Sequence, residues 1–231
     1  LPAHAGEEDS PVDNIGGVLS VIGVACLIMG IQTLPNGFSA TMGVLFAVAA
    51  ISIALFFWRQ TRAPRPLVDL QAASAPSFWV AAVAGTITFG SLMGALFLGS
   101  QFTQNVLGYD ALKAALVTLP MSLALMVVSP LAGKMVASKG SRFTLAIGLI
   151  VVAIGFVVMV VTWRSGAGIG VVLLAYAIVG GGVGICATPA AHALMASLPV
   201  SRAGMGSACT DLTRDFGGAI MQAVMGTVLA I

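Results

Sequence analysis

Charged side chains are scarce in this sequence. Ten Lys and Arg and eight Asp and Glu make up only 8% of its 231 residues. A soluble domain carries charges at about a quarter of its positions, so a soluble fold is excluded. The net charge of +2 is too small to suggest a nucleic-acid partner, and no basic patch alternates with aromatic side chains.

Cysteine and catalytic groupings are also nearly absent. Cys26, Cys186 and Cys209 lie far apart, with no Cys-x-x-Cys or cysteine–histidine spacing, so neither a disulfide framework nor a metal site is expected. We expect Cys186 to be buried in a helix and Cys209 to lie in a loop or helix start. The run "GGGVG" at 180–184 lacks the Lys-Ser/Thr of a phosphate loop. No nucleophile–base pair is visible, and therefore neither an enzyme nor a cofactor is predicted.

Apolar residues make up most of the chain, at 58% of all positions with a mean hydropathy of +1.05. They form seven blocks, most of them about twenty residues long, the length of a helix that crosses a ~30 Å hydrocarbon core. The strict alternation of a transmembrane barrel is not present. The predicted fold is therefore all-α, a polytopic transmembrane helix bundle. Its predicted spans are 15–34, 40–58, 78–100, 114–133, 143–163, 168–198 and 216–231.

Lys and Arg are distributed unevenly between the predicted loops. Only Lys113 and Arg164 follow the odd-numbered spans, whereas eight basic residues follow the even-numbered ones. These eight are Arg59, Arg62, Arg65, Lys134, Lys139, Arg142, Arg202 and Arg214. Because loops rich in Lys and Arg stay in the cytoplasm, the N-terminal end is predicted to be cytoplasmic and Ile231 to point outward.

The middle of each predicted span contains no Asp, Glu, Lys or Arg. A retinal-type protein would need a lysine in its last span, and a proton relay confined to these helices would need a carboxylate, so both are excluded. Glycines occur there instead, including Gly90, Gly180, Gly184 and Gly217. Small residues of this kind predict closely approaching helices, with Gly180 and Gly184 one turn apart on one face.

Three stretches resemble one family of transporters. The stretch "QFTQNVLGYDALKAALVTLP" at 101–120 resembles the outer loop and next-helix start of fourteen-span drug:proton antiporters of the major facilitator superfamily. In "GKMVASKGSR" at 133–142, Gly133, Gly140 and Arg142 match the superfamily signature Gly-x-x-x-Asp-Arg-x-Gly-Arg-Arg, whereas Ala137 and Ser138 replace its Asp and Arg. The stretch "GGGVGICATPAAHALMASLPVSRAGMGSACTDLTRDFGGAI" at 180–220 is similar to the family's late glycine-rich helix and Arg-x-x-Gly-Gly helix start.

The resemblance implies an organisation and a function. It implies export of hydrophobic or cationic small molecules by proton antiport and alternating access. The implied partners are the lipid bilayer, the substrate, protons and a missing N-terminal half, where the proton-coupling acids would lie. The implied segments are a cytoplasmic loop (1–14), two extra inter-half helices (15–58), a cytoplasmic linker (59–76) and a C-terminal six-helix bundle lacking its last helix (77–231).

Three charged residues stand just before the last predicted span. Asp211, Arg214 and Asp215 share one helix face, and both acids would lie near the positive end of the helix dipole. They can be a helix start and topology anchor, a cytoplasmic gate that pairs across the two halves, or a site of proton coupling. The resemblance implies that the signature residues Gly133, Gly140 and Arg142 also take part in gating or conformational coupling.

Candidate substrate contacts lie on three of the predicted helices. Phe97, Gln101 and Gln104 follow an i, i+4, i+7 spacing, and their aromatic and amide groups suit an amphipathic or cationic drug as well as a membrane interface. Tyr176 and Gln222 are lone polar groups in helices that line the central cavity of the superfamily. They can contact ligand or join helices by hydrogen bonds.

Two other functions remain open from the sequence. The first is a non-transporting seven-helix sensor or structural subunit, although a sensor should carry a signalling domain or a buried polar ligand site, and neither is visible. The second is a major facilitator importer of another substrate.

Overall fold

A computed structural model describes residues 13–62, 76–164, 166–196 and 203–229 of the chain. Most of the predicted loop 1–14 and of the predicted linker 59–76 lies outside these ranges, as do Arg65, Arg202 and Ile231. Every regular element in the described ranges is helical, which confirms the predicted all-α class.

Eight α-helices form the described part of the chain. They are α1 (Asn14–Thr33), α2 (Ala40–Gln60), α3 (Pro76–Gln101), α4 (Ala111–Val117), α5 (Leu119–Lys139), α6 (Ser141–Thr162), α7 (Ile169–Ala196) and α8 (Ala203–Leu229). A 3-10 turn, Leu34–Asn36, connects α1 to α2, and a π-helical segment, Phe102–Val106, extends α3. Six spans in the described ranges are long and apolar enough to cross a membrane, and α4 with α5 forms one of them.

The first six predicted spans agree with the structure to within a few residues, apart from the third, which the π-helical segment extends to Val106, and the fourth. The fourth span is longer than the predicted 114–133 because α4 begins at Ala111 and α5 ends at Lys139. Side-chain caps set several of the helix starts: Ser39 accepts a hydrogen bond from the N–H of Met42, and Asp110 from that of Lys113. The helix is interrupted at Thr118, directly before Leu119 and Pro120 at the start of α5.

The predicted start of the seventh span was wrong. The helix begins at Ala203 rather than at residue 216, so Asp211, Arg214 and Asp215 lie inside α8. The two acids are therefore not stabilised by the helix dipole, because that effect is confined to the first turn of a helix. Arg214 also no longer counts among the eight basic residues that were assigned to loops. A cluster of charges resembles a span boundary in sequence, but a helix accommodates charges that point away from its packed face.

Of the two places predicted for Cys209, a loop or a helix start, the structure agrees with the second, since Cys209 is the seventh residue of α8. Its side chain is half-buried against a small core that joins α3, α7 and α8, formed by Phe78, Ala81, Leu194 and Met205. Cys186, by contrast, is fully buried in α7, as predicted.

The described helices satisfy most of their buried polar side chains internally, with Trp163 and Tyr176 as exceptions. The fully buried hydroxyls of Thr88, Thr103 and Thr144 each donate to a backbone carbonyl four residues earlier in the chain. Large apolar side chains such as Val160 are instead exposed on the surface. Internal polar pairing combined with an apolar surface is what a lipid environment requires.

Glycines set the closest helix contacts, as the sequence predicted. On α7, a β-carbon at Gly180 would overlap the carbonyl of Met121 in α5, and one at Gly184 would lie 3.0 Å from the Leu125 carbonyl oxygen. α8 packs most extensively against α3, where a β-carbon at Gly90 would lie 2.9 Å from the carbonyl oxygen of Gly217. Each contact brings two backbones together with no side chain between them.

We expect Gly180→Ala to destabilise the protein by roughly 1–3 kcal/mol, because the added methyl group meets a backbone carbonyl that cannot move aside. Its neighbour Gly181 provides a matched control, since a β-carbon there would only touch Val128 at 3.9 Å. Gly181→Ala should be neutral or stabilising by up to about 1 kcal/mol, because alanine favours the helix. Thermal unfolding in detergent measures both. Equal midpoints for the two variants would contradict the close contact.

An ion pair closes the α1–α2 hairpin. Asp13, the N-cap of α1, accepts hydrogen bonds from the N–H of Gly16 at 3.0 Å and from Nε of Arg59 at 2.7 Å. The hairpin also packs against α8, where a β-carbon at Gly226 would lie 2.9 Å from Cγ of Pro35. The hydrogen bond from Gly16, with the contributions of Arg59 and Gln60, lowers the pKa of Asp13 from its ordinary 3.8, despite the opposing effect of burial.

Asp13→Asn should weaken this hairpin, because asparagine keeps the cap but loses the ion pair. A carboxyl group with a lowered pKa stabilises the fold above its unfolded pKa and ceases to do so as the pH falls through its folded pKa. The difference in thermal stability between wild type and Asp13→Asn should therefore persist from pH 7 to about 3.8 and close below it. Asp110→Asn, at an N-cap without an ion pair among the described residues, should change stability less.

Candidate functional site

A charged cluster lies on the exposed side of α8. It consists of Asp211, Arg214 and Asp215, all of them exposed in the described bundle. Nη1 of Arg214 lies 3.9 Å from Oδ1 of Asp211, and their side chains are 52% and 70% exposed. An exposed pair at this separation contributes little to stability, so a stabilising ion pair does not account for the cluster.

The position of this cluster along the helix is unexpected. Arg214 is the twelfth of 27 residues in α8, about 16 Å from its first residue at 1.5 Å per residue. α8 runs parallel to α3, with Gly85 beside Thr213 and Gly94 beside Met221. Arg214 is therefore level with the middle of α3, one of the six apolar spans. Charges at such a depth are costly in lipid and normally face a water-filled cavity or another protein surface.

The guanidinium group of Arg214 lies over an aromatic ring of α3. Its central carbon is 4.7 Å from the centroid of Phe89, a side chain that is only 8% exposed. This cation–π contact crosses the α3–α8 interface next to the close approach of Gly90 to Gly217. Phe89 was not singled out from the sequence, because a phenylalanine inside an apolar span carries no signal of its cationic neighbour.

A second feature is an aromatic cluster where α3, α6 and α7 meet. The ring of Phe102 stacks on Trp163 at 4.8 Å and an interplanar angle of 19°, and Trp163 lies 5.5 Å from Tyr176. Nε1 of Trp163 and the hydroxyl of Tyr176 are buried and have no hydrogen-bond partner among the described residues. Buried polar atoms usually find partners, so these two atoms are exceptions in the described bundle.

A cavity of about 370 Å³ opens beside these rings, between the π-helical segment and the end of α6. It is lined by Leu98, Gln101, Phe102, Asn105, Val106, Phe156, Met159, Val160 and Trp163. Nδ2 of Asn105 donates to Oε1 of Gln101 at 2.6 Å. An apolar cavity with a few polar groups is typical of small-molecule sites.

The predicted substrate residues do not all come together at this cavity. Gln101 lines it, and Tyr176 packs against its Trp163, whereas Phe97 and Gln104 are not among the lining residues. Gln104 falls in the π-helical segment, whose wider turn breaks the i, i+4, i+7 spacing. Gln222 is half-buried on α8. Trp163 and Phe102 were missed, since only tertiary packing brings them beside Tyr176.

The residues of the loop signature lie at the α5–α6 connection. Gly140 joins the two helices with a φ of +84°, a conformation that favours glycine. Gly133 lies in α5 with open space beside it, and Arg142 is exposed in the first turn of α6. No ion pair links Arg142 to any residue in the described ranges.

The apolar spans, the helix contacts at glycines and the charges at mid-helix define a multi-pass membrane protein. The chain belongs to the Major Facilitator Superfamily, which it matches over residues 13–221.

Several curated relatives are bacterial resistance proteins. The chain is 33% identical over 221 residues to the multidrug resistance protein Stp of Mycobacterium tuberculosis, covering 94% of this chain and 41% of Stp. It is 30% identical over 233 residues to the multidrug efflux pump LfrA of Mycolicibacterium smegmatis, covering 99% and 45%. For the lincomycin resistance protein LmrB of Listeria innocua, the identity is 26% over 223 residues, covering 95% and 47%. The chain thus spans less than half the length of these relatives.

Tyr176→Phe should leave the free energy of unfolding unchanged or raise it by up to about 1 kcal/mol, because it removes a buried hydroxyl that has no hydrogen-bond partner in the described part of the chain. Thermal unfolding without substrate is the measurement, with Tyr109→Phe at a less buried tyrosine as the control. A clear loss of stability in Tyr176→Phe would mean that the hydroxyl makes a hydrogen bond in the folded protein.

Proposed function

We propose that this chain is part of a secondary active transporter that exports hydrophobic or cationic small molecules by proton antiport. The observation that carries the proposal is the charged cluster exposed midway along α8, level with the middle of the apolar helix α3, in a chain of a transporter superfamily. The relative LfrA is a multidrug efflux pump, and Stp and LmrB are drug resistance proteins, which supports efflux as the direction of transport. A transporter of this kind needs no catalytic residues.

The longer protein would have two halves. In this proposal α1 and α2 are the extra helices between the halves, and residues 77–231 belong to the C-terminal bundle. The facing N-terminal half would provide the proton-coupling acids. The loops rich in Lys and Arg would lie in the cytoplasm, which gives the N-terminal end of this chain a cytoplasmic location. Alternating access would come from rocking of one half against the other.

Asp211, Arg214 and Asp215 act in this proposal as a gate. Their exposure and the long 3.9 Å separation within the cluster leave both charge signs able to pair with a facing surface. Pairing would strengthen as the two halves close and exclude water, because charges interact more strongly at a low dielectric. Gly133, Gly140 and Arg142 would transmit the movement at the α5–α6 turn.

The substrate would contact both the aromatic cavity and the central space between the halves. Gln101 and Tyr176 are the candidates at or beside the cavity, and Phe97, Gln104 and Gln222 are the candidates elsewhere on α3, the π-helical segment and α8. Stacking on aromatic rings and hydrogen bonds to amides suit molecules that are largely apolar with few polar groups.

Arg214→Lys should reduce efflux about tenfold, because an ammonium cannot form the two parallel bonds of a guanidinium with a carboxylate, and a bond to a charged group contributes roughly 1.5–3 kcal/mol. Asp215→Asn should impair efflux similarly. The measurement is drug efflux from cells or proteoliposomes, normalised to the protein in the membrane. Arg164→Lys, at an exposed arginine outside the helices, is the matched control and should transport normally.

The double variant Arg214→Lys with Asp215→Asn should lose less than the two single losses combined, if the two groups act together. Normal efflux in Arg214→Lys would show that the cluster only anchors the helix, and the gate would then be abandoned.

A further inference from the structure

We infer that Phe89 is a positioning residue, which fixes the direction in which Arg214 presents its guanidinium to the facing half of the transporter. This inference rests on the proposed function of Arg214 as part of a gate. Neither the sequence pattern nor the relatives assign a role to Phe89.

The contact between the two side chains leaves the side chain of Arg214 about half exposed. Its carbon lies 4.7 Å from the ring centroid, so the group is held over the ring of Phe89. The ring is 8% exposed, whereas the arginine side chain is 52% exposed. A guanidinium has five N–H donors, so one that lies over a ring and is half exposed keeps donors free to bind a carboxylate.

The neighbouring carboxylate on the same helix holds Arg214 less firmly. Oδ1 of Asp211 is 3.9 Å away, beyond hydrogen-bond distance, and its side chain is 70% exposed. Arg214 makes no hydrogen bond to any residue in the described part of the chain. The ring, and not Asp211, is therefore the contact that positions the guanidinium.

The ring itself is held by the helix interface. Phe89 is adjacent to Gly90, where a β-carbon would lie 2.9 Å from the backbone oxygen of Gly217, and a β-carbon at Gly85 would lie 3.0 Å from the side-chain oxygen of Thr213. These contacts fix α3 against α8 on both sides of Arg214. Without the ring, the guanidinium would turn toward Asp211 and Asp215 on its own helix and would no longer be directed at the facing half.

The experiment compares four variants in the full transporter. Phe89→Leu keeps an apolar side chain but loses the ring, so the maximal efflux rate should fall about fivefold, as for loss of ~1 kcal/mol of cation–π energy, with little change in KM. Phe89→Tyr keeps the ring and should restore transport. Phe78→Leu is the control, since Phe78 lies on the same helix, is also 8% exposed and contacts no cation among the described residues. Phe89→Met serves as a second ring-free variant if Phe89→Leu does not accumulate.

A double variant tests whether Phe89 acts through Arg214. In an Arg214→Gln background, Phe89→Leu should cause no further loss, whereas an undiminished fivefold loss would mean a packing role and overturn the inference. Normal efflux in Phe89→Leu together with impaired efflux in Arg214→Lys would also overturn it, while the gate would stand. Normal efflux in Arg214→Lys would overturn the gate itself, and the positioning role with it.

Discussion

Direct contact between helix backbones is the constraint on which the rest of this structure depends. Helices in lipid gain no hydrophobic energy by leaving one apolar surrounding for another, so they associate through close packing. Here α7 meets α5 at Gly180 and Gly184, and α8 meets α3 at Gly90 and Gly217. Because a backbone cannot yield as a side chain can, these contacts set the rotation of each helix. They also determine which residues face away from the bundle.

The charged cluster follows from that rotation. With Gly217 directed at α3, Asp211 and Asp215 are left on the exposed side of α8, and Arg214 reaches the ring of Phe89 from the edge of the interface. The helix interface is therefore made mainly of small and apolar groups, with Thr213 beside Gly85, and the charges lie next to it. This arrangement separates the part of α8 that holds the bundle together from the part that remains available to another surface.

The sequence predicted the helices well where length and hydropathy alone identify a helix, as in α1, α2 and α6. It failed at the start of α8, because the segment Ala203–Thr210 is too rich in small residues to register as apolar and the three charges resemble a boundary. The glycine contacts were predictable, because small residues in an apolar span mostly serve to bring two helices close together. The contacts of Phe89 and Trp163 were not, because each depends on a partner in a distant helix. The π-helical segment was also missed, and with it the true surroundings of Gln104.

The attachment of the α1–α2 hairpin to α8 couples the movements of these helices. Pro35 meets Gly226 near one end of α8, while Asp13 and Arg59 join the two helices of the hairpin at its open end. α8 is thus held between α3 on one side and α1 on another. Because the hairpin is closed at both ends, a tilt of α8 would move α1 and α2 together as one rigid unit. The hairpin would then take part in the movement and would not be only a flexible connection.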